Sequence, residues 1–247
     1  MRKDSIHTHK NSSLFGGDVR NCGQRGLRLK VCGIKYADNI QAVAQLQPDY
    51  MGFIFYEKSP RYFSVEMPEL PKNIKKTGVF VNASAEEIIQ KIKKYNLQAV
   101  QLHGDENSAF CEDLSIALSA VEGSLPLEII KVYSIKNEFD FSILKDFEPF
   151  VDYFLFDTKG KERGGNGYTF DWSVMKDYPS TKPYFLSGGI GLDEVEQLLS
   201  FLQSQESKYC HVIDVNSKFE DLPGLKNIDT LKKFITQLFP SIEEQNL

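Results

Sequence analysis

Two side chains that can donate or accept a proton each follow a short apolar run of this sequence. Cys32 ends the run at residues 29–32, and Asp157 follows the run at residues 153–156. A thiolate can take a proton from a small molecule and a carboxylic acid can give one, which is general acid–base chemistry. Each residue also has a structural interpretation, since a cysteine in this position is often a small buried apolar residue and Asp157 could cap the loop that Thr158 begins.

Two later apolar runs are each followed by small residues whose backbone could bind an anion. Gly188 and Gly189 lead directly from one run into a helix-like segment, while Asp214 and Ser217 follow the next run. Small residues expose backbone N–H groups, and the amino end of a helix adds positive potential. The pattern predicts that the binding partner of this protein is a small phosphorylated molecule.

Other polar residues in comparable positions have two interpretations each. Arg61, in the motif KSPRY, could bind an anion or lie in solvent, Asn82 could form a turn, and His103 could hold the end of a strand. The glycine-rich segment 159–168 (KGKERGGNGY) suits either a flexible loop or a mobile lid that closes over a substrate.

The elements that must position these residues follow a repeating strand–helix rhythm. Continuous apolar runs, typical of parallel strands covered on both faces, alternate with stretches of helical periodicity. The apolar runs span residues 29–32, 50–55, 77–81, 99–102, 127–132, 153–156, 184–186 and 211–213. The helical stretches span residues 37–46, a segment capped by Ser84 and Glu87, residues 110–118, weaker stretches at 138–147 and 172–178, and residues 195–202 and 231–238.

Eight strand–helix units of about 26 residues each predict an α/β protein made of a single (β/α)8 TIM barrel. An open doubly wound sheet is the alternative, but the turn after the first run lacks the GxGxxG fingerprint of dinucleotide-binding folds. Barrel enzymes carry their sites at the carboxyl ends of the strands. Because strands one and six are three steps apart around the ring, we expect Cys32 and Asp157 to face each other across its mouth.

The overall composition is that of a globular protein. The chain has 247 residues, of which 41% are hydrophobic and 26% charged. Its net charge of −5 argues against a nucleic-acid-binding protein, and no run approaches the roughly 18 to 20 apolar residues of a membrane span. Because its cysteines (Cys22, Cys32, Cys111 and Cys210) form neither a CxxC pair nor a His/Cys cluster, we expect no disulfide, no metal site and a cytoplasmic location.

Residues 1–27 differ from the rest of the chain, with glycine pairs, polar clusters and no apolar periodicity. A secretory signal would need an apolar stretch of about 7 to 15 residues, and a transit peptide would show a helical apolar stripe. Neither is present in this segment. We therefore predict a disordered N-terminal extension, with residues 28–247 forming the barrel domain.

Seven motifs occur in order along the chain, each at the end of a predicted strand. They are KVCGIK, GFIFYEKSPRY, TGVFVN, AVQLHGDE, FLFDTKGKERGGNGYTFDW, LSGGI and IDVNSKFE. Together they resemble the phosphoribosylanthranilate isomerase family of tryptophan biosynthesis, and the resemblance covers the chain from about residue 29 to its end. It implies an Amadori rearrangement of N-(5-phosphoribosyl)anthranilate to 1-(2-carboxyphenylamino)-1-deoxyribulose 5-phosphate, with neither cofactor nor metal.

The resemblance implies a role for each candidate residue. Asp157 is expected to protonate the ring oxygen of the substrate, and Cys32 to remove the hydrogen from C2′. Arg61 is expected to hold the anthranilate carboxylate, and Asp214 to contact the hydroxyls of the opened sugar. The phosphate-binding positions implied are Gly188, Gly189 and Ser217.

These roles set two electrostatic requirements. Local positive potential should favour the thiolate of Cys32, because a free thiol has a pKa of about 8.5. Burial or neighbouring negative charge should raise the pKa of Asp157 from its usual value of about 3.9, so that it keeps a proton near neutral pH.

The segment after strand eight departs from the commonest family pattern, which is Ser-Ser-Gly-x-Glu. Here the corresponding run is Asn216-Ser217-Lys218-Phe219-Glu220, so the glycine that shapes the usual phosphate loop is absent. One hypothesis is that Lys218 compensates by adding a positive charge.

Rival functions are also open to this sequence. A relative of indoleglycerol-phosphate synthase should show catalytic lysines at strand ends, and an epimerase relative should show metal-binding His/Asp pairs; neither pattern is evident. A catalytically silent barrel that binds a phosphorylated ligand or another protein is a third alternative, although both Cys32 and Asp157 are retained. Either a monomer or a homodimer suits this fold.

Overall fold

The computed structural model describes residues 26–119, 127–136, 138–158 and 169–240, and within them eight strands close into a parallel barrel. The predicted TIM barrel is thereby confirmed. Its strands are β1 (Arg28–Val31), β2 (Tyr50–Ile54), β3 (Lys75–Phe80), β4 (Ala99–Leu102), β5 (Glu128–Ile135), β6 (Tyr153–Thr158), β7 (Tyr184–Leu186) and β8 (Cys210–Val215). Each strand pairs in parallel with the next, and β8 closes the ring against β1.

The α-helices of the described residues pack around this ring. They are α1 (Ala37–Ala44), α2 (Ala85–Tyr95), α3 (Ser108–Ser119), α4 (Val195–Leu202) and α5 (Ile228–Leu238). The cap predicted for α2 is present, because Ser84 Oγ accepts a hydrogen bond from the backbone N–H of Glu87 at 3.2 Å. The two weaker helical stretches are short 3₁₀ helices, at Phe141–Asp146 and Trp172–Asp177.

The alternation of side chains along the strands places polar groups above an apolar floor inside the barrel. Leu155 and Val212 belong to a buried apolar cluster to which several strands contribute. Two residues further along the same strands are Asp157 and Asp214, both buried. Because alternate residues of a strand point to the same face, both strands deliver a carboxyl group just above the floor, toward the carboxyl end of the barrel.

A short antiparallel hairpin follows β8 and was not predicted from the sequence. It consists of β9 (Glu220–Leu222) and β10 (Leu225–Lys226). Neither strand has an apolar run, so the hairpin gives no periodic signal. Its position depends on distant contacts: the backbone N–H of Lys226 donates to Asn39 Oδ1 at 2.7 Å, and Asn39 Nδ2 donates back to the Lys226 carbonyl at 2.8 Å.

Candidate active site

A cavity of about 710 Å³ opens at the carboxyl ends of the barrel strands. All seven site residues predicted from the sequence line it: Cys32, Arg61, Asp157, Gly188, Gly189, Asp214 and Ser217. Such a volume suits a ligand of small-molecule size. The strand-end rule therefore selected residues that the folded chain brings together.

Cys32 lies directly after β1 with 4% of its surface exposed. Its backbone N–H donates to the carbonyl of Val215 in β8 at 2.9 Å. Space for its sulfur depends on Gly52 in β2, since a Cβ atom at Gly52 would lie 2.6 Å from Cys32 Sγ. The thiol is therefore fixed at the wall of the cavity by two neighbouring strands.

The electrostatic surroundings of Cys32 are mixed. Burial raises the pKa of the thiol, and the positive charges of Lys30 and Lys226 lower it, while the carboxylate of Asp214 raises it. The positive potential expected from the sequence is thus present, but burial outweighs it and the net direction is upward. In the substrate-free protein the protonated thiol is the favoured form at neutral pH.

Asp157, near the end of β6, has the raised pKa that its proposed role requires. Burial and the nearby carboxylate of Asp214 raise its pKa to about 7, against the lowering effects of the Thr158 backbone N–H, Lys30 and Ser187. The Thr158 N–H donates to Asp157 Oδ1 at 3.0 Å. His103 Nε2 lies 3.7 Å from Asp157 Oδ2. This carboxyl group therefore titrates near neutral pH, well above the usual range of an aspartic acid.

A fully buried cation, Lys30, holds two of the side chains that line the cavity. Its Nζ donates to Asp214 Oδ2 and to Gln101 Oε1, both at 2.8 Å. Burial lowers the pKa of Lys30, but the charges of Asp214 and Cys32 raise it more, so it stays charged. The second carboxylate oxygen of Asp214, Oδ1, is buried with no hydrogen-bond partner among the described residues, which leaves an acceptor available for a ligand hydroxyl.

Arg61 is held by an ion-pair network that the sequence analysis did not find. Its guanidinium donates from Nε and one terminal nitrogen to Glu220, at 2.7 to 3.0 Å. Glu220 also accepts from Lys226 Nζ at 2.7 Å, and Lys226 donates to Asn216 Oδ1 at 2.7 Å. Two of the five guanidinium N–H groups face Glu220, so the outer edge of Arg61 keeps donors for a carboxylate.

Burial lowers the pKa of Lys226 to about 8, although Glu220 and Cys32 oppose that shift. Lys226 and Glu220 both belong to the hairpin formed by β9 and β10. Glu220 ends the last motif quoted above, but Lys226 has no local signal in the sequence.

The loop after β7, which we expect to bind a phosphate and call the phosphate cradle, begins with two glycines in the left-handed region of backbone conformation. Gly188 and Gly189 have φ angles of +91° and +71°, a region that favours glycine. A Cβ atom at Gly188 would overlap the backbone nitrogen and the hydroxyl of Thr158. The loop runs through a 3₁₀ turn, Leu192–Glu194, into α4, while Ser217 opens a 3₁₀ turn after β8.

We expect Gly188→Ala to lower the free energy of unfolding by about 2 to 4 kcal/mol, because it adds a strained φ angle and an overlap with Thr158. Gly26→Ala is the matched control, since Gly26 has a φ of +92° but a Cβ there would meet nothing within 4 Å. Urea denaturation of both variants separates strain from overlap. Equal losses in the two variants would show that the contact with Thr158 contributes nothing.

Further sequence predictions concern residues that do not line the cavity or that lie outside the described residues. Asn82 has a φ of +53° and accepts a hydrogen bond from the backbone N–H of Asp105, which agrees with its interpretation as a turn former. The glycine-rich segment 159–168 and residues 1–25 lie outside the described residues, so the lid and the disordered extension stay predictions.

The described residues offer neither a candidate metal site nor a candidate membrane span. No cluster of three or more His, Cys, Asp or Glu side chains that could hold a metal ion occurs among them. None of the helices described is long and apolar enough to cross a membrane.

Comparison with known proteins identifies similar chains over nearly the whole barrel. The family model for N-(5'-phosphoribosyl)anthranilate (PRA) isomerase matches residues 29–237. A curated relative, the N-(5'-phosphoribosyl)anthranilate isomerase of Phocaeicola vulgatus, is 39% identical over 215 residues, which cover 87% of this chain and 99% of the relative.

Solved structures agree with the sequence comparison. Monomers of the dimeric phosphoribosylanthranilate isomerase from Thermotoga maritima superpose with a TM-score of 0.66 at 30% identity, over 86% of this chain and 98% of that one. A phosphoribosyl anthranilate isomerase in complex with reduced 1-(o-carboxyphenylamino)-1-deoxyribulose 5-phosphate has a TM-score of 0.64 at 28% identity, with the same coverage.

Proposed function

The chain belongs to the N-(5'-phosphoribosyl)anthranilate isomerase family of tryptophan biosynthesis, and on that premise we propose how its cavity carries out the isomerisation. Asp157 is the general acid and Cys32 is the general base. The observation that carries this proposal is that the two residues line one cavity from β6 and β1, which are separated by only β7 and β8.

The first step opens the furanose ring of the substrate. Asp157 gives its proton to the ring oxygen while the bond between that oxygen and C1′ breaks, and the lone pair of the anthranilate nitrogen forms the C=N bond of a protonated Schiff base. The raised pKa of Asp157 supports this step, because the carboxyl group can then hold a proton near neutral pH.

The second step removes the hydrogen from C2′. The thiolate of Cys32 takes this proton, the C–H electrons form a C1′=C2′ double bond, and the C=N electrons return to nitrogen. The enolamine then gains a proton at C1′ and loses one from the C2′ hydroxyl, which yields the ketose. Lys30 and Lys226 favour the thiolate, and proton exchange with solvent restores both groups.

Binding contacts are proposed for the remaining residues. Arg61 holds the anthranilate carboxylate with its outer edge, and the free oxygen of Asp214 accepts a hydrogen bond from a sugar hydroxyl. The backbone of Gly188 and Gly189, with Ser217, receives the phosphate. A cytoplasmic location and a monomeric or homodimeric state are further expectations that accompany this function.

The test of the function is turnover by the purified chain. N-(5'-phosphoribosyl)anthranilate is generated from anthranilate and phosphoribosyl pyrophosphate by anthranilate phosphoribosyltransferase, and the loss of substrate fluorescence is followed. We expect decay well above the background rate. Decay at the background rate would reject the proposal, as would failure to restore growth of a tryptophan auxotroph that lacks the isomerase.

We expect Arg61→Ala to raise KM roughly ten- to a hundredfold with a smaller change in kcat, because charge-assisted hydrogen bonds to the substrate are lost. Glu220 keeps its partner Lys226 in this variant, so no buried charge is left unpaired. A product analogue that lacks the aryl carboxylate is the control, since its affinity should be the same for both proteins. If Arg61→Ala also weakened binding of the analogue that lacks the carboxylate, a contact between Arg61 and that carboxylate would be contradicted.

A further inference from the structure

Lys218 lies beside the phosphate cradle, at the position where the usual family pattern has a glycine. It follows Ser217 directly, and both residues line the cavity together with Gly188 and Gly189. Its stem lies against the loop after β7, since a Cβ atom at Gly191 would be 3.0 Å from Lys218 Cβ. The side chain is 30% exposed. A cation therefore lies beside the backbone N–H groups proposed to receive the phosphate.

Glu194 follows the same loop at the start of α4, and a Cβ atom at Gly191 would lie 3.1 Å from its Oε2. Its Oε1 is 3.8 Å from Lys218 Nζ, which is an ion pair but too long for a hydrogen bond. Its Oε2 is buried and has no hydrogen-bond partner among the described residues. Glu194 caps no backbone N–H of α4 with its side chain. A carboxylate so placed repels an arriving phosphate and attracts the lysine that could bind it.

We propose that Lys218 is a phosphate-binding residue of this chain and that Glu194 competes with the phosphate for its ammonium group. In the empty site the ion pair keeps Lys218 beside the cradle. When the phosphate binds, the ammonium moves from Glu194 to a phosphate oxygen, where it meets two negative charges instead of one. Glu194 therefore weakens phosphate binding, although it stabilises the position of Lys218.

This inference rests on the proposed function but is tested by binding, which does not need turnover. The probes are reduced 1-(o-carboxyphenylamino)-1-deoxyribulose 5-phosphate and its dephosphorylated form, titrated by calorimetry. We expect Lys218→Met to weaken the phosphorylated probe about tenfold, the size of a lost charge-assisted hydrogen bond, and to leave the dephosphorylated probe unchanged. Lys218→Arg should bind like the unaltered chain.

Glu194→Gln gives the distinguishing result, because it should tighten the phosphorylated probe roughly threefold, the size of a partly exposed ion pair. Lys208→Met is the matched control, since it removes the same charge from an exposed residue before β8, at the opposite end of the barrel. Weaker binding by Glu194→Gln, or an equal loss of both probes by Lys218→Met, would overturn the inference. If binding behaves as expected here but the purified chain shows no turnover, the proposed reaction is overturned and the inference about Lys218 is not.

Discussion

Asp157→Asn is expected to abolish turnover and, above neutral pH, to make the protein more stable. Asparagine cannot donate a proton to the ring oxygen, so we expect kcat to fall by a factor of about 10³ or more. The gain in stability has a separate cause. The unaltered protein must keep an ionised carboxyl group in a buried site beside Asp214, and asparagine removes that cost.

The sign of the stability change follows from the direction of the pKa shift. The pKa of Asp157 is raised from 3.8 to about 7 on folding, so ionisation disfavours the folded state. Below about pH 4 the group is protonated in both states and contributes no pH dependence. As the pH rises toward 7 the unaltered protein loses stability, by up to about 4 kcal/mol above pH 7. The stability gained by Asp157→Asn should therefore be small at pH 4 and largest at pH 8.

Urea denaturation at pH 4 and pH 8, together with the turnover assay, measures both effects. Asp177→Asn is the control, because Asp177 is exposed on the 3₁₀ helix Trp172–Asp177 and should change neither property. Activity within tenfold of the unaltered chain would remove Asp157 from its role as the acid. A stability difference that does not grow with pH would show that burial does not raise its pKa.

Cys32→Ala is expected to lower kcat by a similar factor, since no other group on the cavity wall beside C2′ is proposed to take the proton. Cys32→Ser should be nearly as inactive, because a hydroxyl is a far weaker acid than a thiol and forms almost no anion at neutral pH. Cys210→Ala is the matched control, as Cys210 begins β8 at the amino end of the barrel. Retained activity in Cys32→Ala would exclude the thiol as the base.

The protonation state of Cys32 can be measured without substrate. Alkylation by iodoacetamide, resolved for each cysteine by mass spectrometry, should show Cys32 reacting with an apparent pKa above that of a free thiol, because burial outweighs Lys30 and Lys226. Because turnover needs a protonated Asp157 and a thiolate at Cys32, the rate should fall at low pH, where the thiol is protonated, and at high pH, where Asp157 has lost its proton. An apparent pKa below that of a free thiol would contradict the balance of charges described here.

The order and approximate positions of the eight strands were predictable from the sequence alone, although β5, β6 and β8 run two or three residues further than predicted. Tyr184–Leu186 and Ala99–Leu102 were predicted with the bounds that the structure has, since continuous apolar runs mark strands buried on both faces. The rule that barrel sites lie at strand ends then selected Cys32 and Asp157 before any geometry was known. Both inferences depend on patterns that are local in the chain.

The charges that surround those residues were decided by the tertiary structure. Lys30 looked like an ordinary strand residue, yet it pairs with Asp214, which is 184 residues away in the sequence. Lys226 lies in a hairpin with no apolar run. Hydrogen bonds between its backbone and the side chain of Asn39 fix its position. Burial and long-range pairing set the pKa values of both proposed catalytic groups, and neither is visible in a local pattern. A sequence can place a residue at the end of a strand, but only the closed barrel determines which charges face it.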